Sequence, residues 1–118
     1  VKLLGLWHFG KEGYTPVPYD FDYSGFVDAH YAVPGESLGI KTVRDRYYLG
    51  PCRSREIFQE MVDELASRRE EMLSYIQNFE YLDEDEKEDI IDYLTSYFEE
   101  AAQDDFIRWS IEPTCRDY

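Results

Sequence analysis

Two kinds of hydrophobic spacing divide the chain. Up to about residue 50 the apolar positions alternate or cluster between Gly and Pro, and from Ser54 onward they recur every three or four residues. Residues 2–9 are apolar and aromatic and are then broken by Gly10, Gly13, Pro16 and Pro18, which predicts a strand followed by a loop. Across 26–33, Val27, Ala29, Tyr31 and Val33 fall on one face and Phe26, Asp28 and His30 on the other, before Pro34-Gly35 turns the chain. That alternation predicts a half-buried strand. Residues 38–49 fit two periods: Ile40, Val43 and Tyr47 at helical spacing, or Lys41, Val43, Asp45, Tyr47 and Leu49 at every second position. The β-branched residues and Gly39 favour a strand.

Beyond Ser54, a candidate N-cap, the residues Phe58, Met61, Val62, Leu65, Met72, Leu73, Ile76 and Phe79 share one stripe of a helix reaching to about Asn78. Asp83 with Glu86 three residues on is a carboxylate capping box, and Ile90, Ile91, Leu94, Tyr97, Phe98, Ala101 and Ala102 define a second amphipathic helix. Carrying that helix past Asp104 would put Asp105 into the apolar stripe. Residues 106–111 alternate instead, Ile107, Trp109 and Ile111 against Phe106, Arg108 and Ser110, which predicts a final strand closed by Pro113. The expected fold is therefore α+β: one domain over 1–118, with a small antiparallel sheet from the N-terminal half plus a C-terminal strand, covered by a two-helix antiparallel hairpin.

Composition changes this picture in one respect, charge. The chain has 118 residues and a formal charge of −14. Residues 1–55 balance at +1 and residues 56–118 carry −15, with twelve carboxylates and the single cation Lys87 between 80 and 105. An aromatic content of 17% is that of a folded chain, not of an acidic disordered tail. There is no run of eighteen apolar residues and no basic-then-apolar leader, so neither a membrane span nor a retained signal peptide is expected. Cys52 and Cys115 lie in unlike contexts; on compartment grounds they are expected as free thiols of a cytoplasmic protein, with a single bridge clasping the tail as the alternative.

Catalytic and metal chemistry find little support. His8 and His30 have no Cys or carboxylate at ligand spacing in their own segments, no serine sits in a Gly-x-Ser-x-Gly elbow, and the glycines form no phosphate loop. Residues 83–88 resemble a calcium loop only superficially, since Lys87 and Glu88 stand where a ligand and the turn glycine belong. No catalytic residue, no metal and no cofactor is expected, and the chain reads as a non-enzyme. A rival reading places a small ligand in a pocket between sheet and helices around Trp7, His8, His30 and Tyr31.

The informative surface is the second helix. Asp85, Glu88, Asp89, Asp92, Ser96, Glu99, Glu100 and Gln103 fall opposite its apolar stripe, with almost no Lys at i,i+4 to offset them. Tyr93 at the stripe's border and Tyr81 ahead of the cap add the flat amphipathic area common in interfaces. The candidate partner-binding set is thus Tyr81, Asp85, Glu88, Asp89, Asp92, Tyr93, Glu99 and Glu100. An alternative set is the acid-and-aromatic loop with Tyr19, Asp20, Asp22 and Tyr23. Arg69 stands inside the apolar stripe of the first helix, where it is expected to snorkel or to pair with an acid of the second.

Small size, a strongly acidic helical face, abundant Tyr and no active site together resemble the immunity proteins that neutralise bacterial toxin nucleases, including those of contact-dependent and polymorphic toxin systems. The resemblance is one of type, spans the whole chain and rests on no motif. It implies a cytoplasmic protein that binds a basic toxin domain and occludes its nucleic-acid site. The physics points the same way, because a carboxylate array repels nucleic acid and can replace phosphates against an Arg/Lys-lined cleft. A phage-type nucleic-acid mimic acting on a host defence or transcription protein would share the same face.

Overall fold

The computed structural model describes residues 21–117. Its contacts group into two compact units, Val1–Asp45 and Arg46–Tyr118. The predicted strand over 2–9 lies outside the described residues.

In the first unit the alternation over 26–33 does not become a strand. Short-range bonds capture the backbone instead: Ser24 donates its N–H to the Phe21 carbonyl, and the N–H groups of Val27 and Asp28 return to the Ser24 carbonyl. Asp28 takes a positive φ of 46°, and its carboxylate meets Arg44 at 3.2 Å. Tyr31 and Val33 remain 53% and 70% exposed, so the face predicted to be buried is not buried. The segment 38–49 likewise forms no strand. A single 3-10 turn, Glu36–Leu38, ends at Gly39 with φ 68°, the left-handed conformation that glycine adopts without cost. The Asp45 carboxylate then accepts the N–H groups of Lys41 (2.7 Å) and Thr42 (3.1 Å). These bonds hold its pKa below the ordinary value. Polar side chains that satisfy their own backbone compete with sheet pairing, and here they win.

The second unit is helical: α1 is Arg55–Ser67, α2 is Arg69–Gln77 and α3 is Glu84–Ala101. The long helix predicted from Ser54 to Asn78 is two helices. Ser67 donates its hydroxyl to the Glu64 carbonyl at 2.7 Å, the acceptor that the Arg68 N–H would use in a continuous helix, and that N–H turns to Leu65 at 3.1 Å. The helix breaks there, and the two halves serve different cores. Phe58 and Val62 of α1 bury with Ile107, while Ile76 of α2 buries with Leu94 and Phe98 of α3. Met61, placed in the core by its spacing, is 55% exposed.

At the start of α3 the expected capping box is present. Asp83 accepts from the Glu86 N–H at 2.9 Å and donates its own N–H to the Glu86 carboxylate at 3.0 Å. The predicted last strand is instead a π-helical turn, Ile107–Ile111, closed by the Glu112 N–H on the Ile107 carbonyl at 2.9 Å. The residues of this segment in or against the Phe58 core are Phe106, Ile107 and Ile111, while Trp109 is 68% exposed. A three-residue alternation carried the wrong period.

The α+β expectation fails with these segments: among the described residues there is no sheet, only an isolated parallel bridge between Pro51 and Arg116. It consists of the Cys52 N–H on the Arg116 carbonyl and the Arg116 N–H on the Gly50 carbonyl, each 3.0 Å. Cys52 and Cys115 are joined as a disulfide, not free, with Cα atoms 4.9 Å apart, inside the range a bridge requires. The helical turn of the tail returns Cys115 to the segment before α1, a proximity that linear spacing does not reveal.

Candidate functional site

The acidic side of α3 divides along its length into two flanks. On one, Arg46 lies against the helix. Its guanidinium donates to Glu100 at 2.8 Å, to the Tyr93 carbonyl at 2.8 Å and to the Ser96 hydroxyl at 2.7 Å. It also stacks over the rings of Tyr93 and Tyr97, 5.1 and 5.8 Å from their centroids. Such a fork of donors between two ring faces is a geometry that arginine provides and lysine does not. Burial pushes the Tyr97 phenol above its ordinary pKa, with the Arg46 charge pulling the other way.

Among the described residues the second flank has no such cover. Asp85, Glu88, Asp92 and Glu99 are exposed, and none of the ion pairs among the described residues includes them. They follow one another at three, four and seven residues along a strip of about 21 Å at 1.5 Å rise per residue. The one lysine of the helix, Lys87, is turned toward the core side and pairs with Glu84 at 2.8 Å. Glu99 and Glu100 sit in the last turn, where no basic residue offsets the negative helix end.

Of the predicted partner-binding residues, the structure brings Asp85, Glu88, Asp92 and Glu99 into that strip; Asp89 is exposed too, but four residues before Tyr93 and eleven before Glu100 it falls on the flank of those two residues. The structure commits Glu100 and Tyr93 to Arg46. Tyr81 stands apart, 80% exposed beyond the capping box and in edge contact with Phe79 at 5.7 Å. From the alternative loop, Tyr19 and Asp20 lie outside the described residues; Asp22 accepts the Tyr31 hydroxyl at 2.9 Å, and Tyr23 is 60% exposed.

Arg69 neither snorkels freely nor has an ion pair with α3. Its guanidinium lies 5.6 Å over the Phe98 ring, and its Nε is buried with no hydrogen-bond partner. It borders a cavity of about 430 Å³ between α1 and the end of α3, lined also by Gln59, Asp63, Gln103 and Asp104. That lining contains no Ser, Thr, Cys or His. Of the ligand pocket expected around Trp7, His8, His30 and Tyr31, Trp7 and His8 lie outside the described residues; His30 and Tyr31 are exposed, in edge-to-face contact with each other at 5.2 Å, and the described residues form no sheet to wall such a pocket. No cluster of three metal-binding side chains occurs among the described residues, and no described helix is long and apolar enough to cross a membrane.

Sequence reasoning missed Arg46 and Tyr75. Arg46 is an isolated cation in a segment read as strand, with nothing in its spacing to pair it with α3. Tyr75, four residues before Phe79 in the stripe read as one helix, was findable from the i,i+4 rule for aromatic neighbours. The chain matches no known family model, no curated protein and no solved structure.

Proposed function

We propose that this chain is a protein-binding module that engages a basic protein through the uncovered flank of α3, acting as an inhibitor that occupies the nucleic-acid cleft of a toxin nuclease. The observation that carries this reading is the strip Asp85, Glu88, Asp92 and Glu99, four exposed carboxylates outside every ion pair of the described residues, on a helix whose other flank meets Arg46. The described residues hold an arginine against one side and place none in an ion pair with the other. A negative line of this kind speeds encounter with a positive cleft and fixes register through charge-assisted hydrogen bonds.

The toxin as target rests on the resemblance of type alone. The disulfide removes the reduced-thiol argument for a cytoplasmic chain, since disulfides persist mainly in oxidising compartments. Capture from native cytosolic and extracytoplasmic fractions, with mass spectrometry of what co-elutes, tests the reading when run beside a variant carrying Asp85→Asn, Glu88→Gln, Asp92→Asn and Glu99→Gln. The parent should retain proteins with a basic domain and the variant should lose them. One nuclease identifies an inhibitor of the immunity type, and several unrelated nucleic-acid-binding proteins identify a mimic. An identical set retained by parent and variant overturns the role of the strip.

A further inference from the structure

The turn between α2 and α3 carries an aromatic corner that the acid strip does not explain. Tyr75, Phe79 and Tyr81 follow one another with centroid separations of 5.9 and 5.7 Å, and the two tyrosines are 69% and 80% exposed. They line an open hollow of about 540 Å³ together with Glu71, Asn78 and Glu80. No cation is among the described residues that line it. Glu71 lies 3.8 Å from Arg68, and Glu80 enters none of the ion pairs among the described residues. Asn78 directs its amide N–H₂ to the Ser74 carbonyl and hydroxyl at 2.7 and 3.2 Å, which leaves its Oδ1 as an acceptor. The hollow also lies at the C-terminal end of α2, whose last turn holds no basic residue.

Each of these features favours a positive charge: the negative faces of the rings, two carboxylates, an amide oxygen and the negative end of a helix. We propose that this corner takes an arginine side chain presented by the basic partner, an inference that rests on the partner-binding reading. A planar guanidinium stacks on a tyrosine face while its in-plane donors reach carboxylates, which an ammonium does less well. The hollow is too open to enclose a small molecule as ligand pockets do, so it suits a side chain carried on another surface. Arg46 against Tyr93, Tyr97 and Glu100 is the same combination of rings and carboxylate made within the chain. The corner reproduces its elements with the arginine left to the partner.

The test needs no partner in hand. The whole chain is titrated with N-acetyl-arginine amide, with the lysine analogue and with the neutral citrulline analogue, following side-chain and amide resonances by NMR. Arginine should give saturable shifts centred on Tyr75, Phe79 and Tyr81, lysine weaker ones and citrulline none. A Tyr75→Ala, Tyr81→Ala variant, which alters only exposed rings and should keep its helical circular dichroism, should bind arginine about tenfold more weakly. Equal shifts from citrulline, shifts confined to α3, or an unchanged affinity in the variant would overturn the assignment. Failure of the capture experiment with a corner that still titrates would count against the partner reading alone; capture with a corner that does not titrate would count against the arginine site alone.

Discussion

The two flanks of α3 differ in what faces them, not in what they are made of. Both carry carboxylates at helical spacing, and Tyr93 and Glu100 directly follow Asp92 and Glu99 in sequence. One flank is neutralised by Arg46, a residue 54 positions from Glu100 in sequence; the other has no counterpart among the described residues. Helical periodicity therefore gives the composition of a surface, while a long-range contact decides which part of it remains available. The segment that delivers Arg46 is itself pinned: Tyr48 packs edge-on against Phe58 at 5.6 Å, and Cys52 is tied to Cys115.

Removing that tie is the most severe way to erase the difference between the flanks. The disulfide joins residues 63 apart, and closing a loop of that length in the unfolded chain is worth about 4 kcal/mol on the chain-entropy account. A Cys52→Ser, Cys115→Ser variant should lose stability of that order in denaturant titration. In it the segment bearing Arg46 loses its anchor, so hydrogen-exchange protection should fall around Arg46 and the tail more than within the α2–α3 core of Ile76, Leu94 and Phe98. A variant within about 1 kcal/mol of its parent would mean that the remaining contacts hold the segment without the bridge.

Arg46→Ala addresses the covered flank directly. It removes three hydrogen bonds and two ring contacts from a half-buried guanidinium, and should cost about 1–3 kcal/mol. Arg46→Lys should recover only part of this, because an ammonium keeps the charge without the fork. The Tyr97 phenol supplies a second readout. Its pKa is raised by burial and pulled back by Arg46, so the variant should titrate Tyr97 at still higher pH in the ultraviolet tyrosinate spectrum. Because the folded-state pKa is raised, the associated stability is fully present below the ordinary tyrosine pKa of about 10 and declines as pH rises through the folded value. Wild-type stability and an unmoved Tyr97 would reduce Arg46 to an ornament of the surface.

These contacts also mark where the sequence was legible. The capping box at Asp83 and Glu86 and the buried stripe through Leu94 and Phe98 were readable because both depend on residues three or four apart. The break at Arg68 was not, although its cause, the Ser67 hydroxyl on the Glu64 carbonyl, is equally local; a continuous hydrophobic period hid it. Alternation misled at 26–33 and 106–111, where a two-residue period over few positions also fits turns, and only burial of Ile107 with Phe58 reveals the helical register. The acid strip was visible as composition. Its division was not, because the Arg46 contact and the Cys52–Cys115 bridge close over long sequence separations.

The smallest effects should come from the uncovered flank, and they sharpen the comparison by their signs. Glu99 lies in the last turn of α3 against the negative helix end, with no basic residue there; Glu99→Gln should raise stability by about 0.3–1 kcal/mol at low salt. Glu88 has Asp85 three residues before it and Asp92 four after, so Glu88→Gln should also stabilise, by a few tenths of a kcal/mol for each repulsion relieved. Asp85 differs, since it stands in the first turn where the helix end is positive. Losing that attraction offsets the relief of its repulsion by Glu88, and Asp85→Asn should be close to neutral. The gains from Glu99→Gln and Glu88→Gln should vanish near 1 M salt, where screening acts over about 3 Å. Paired melting curves at low and high salt decide the matter. A flank kept for a partner should be a flank that folding would prefer to neutralise, and destabilisation by Glu99→Gln and Glu88→Gln would mean that these carboxylates serve the fold itself.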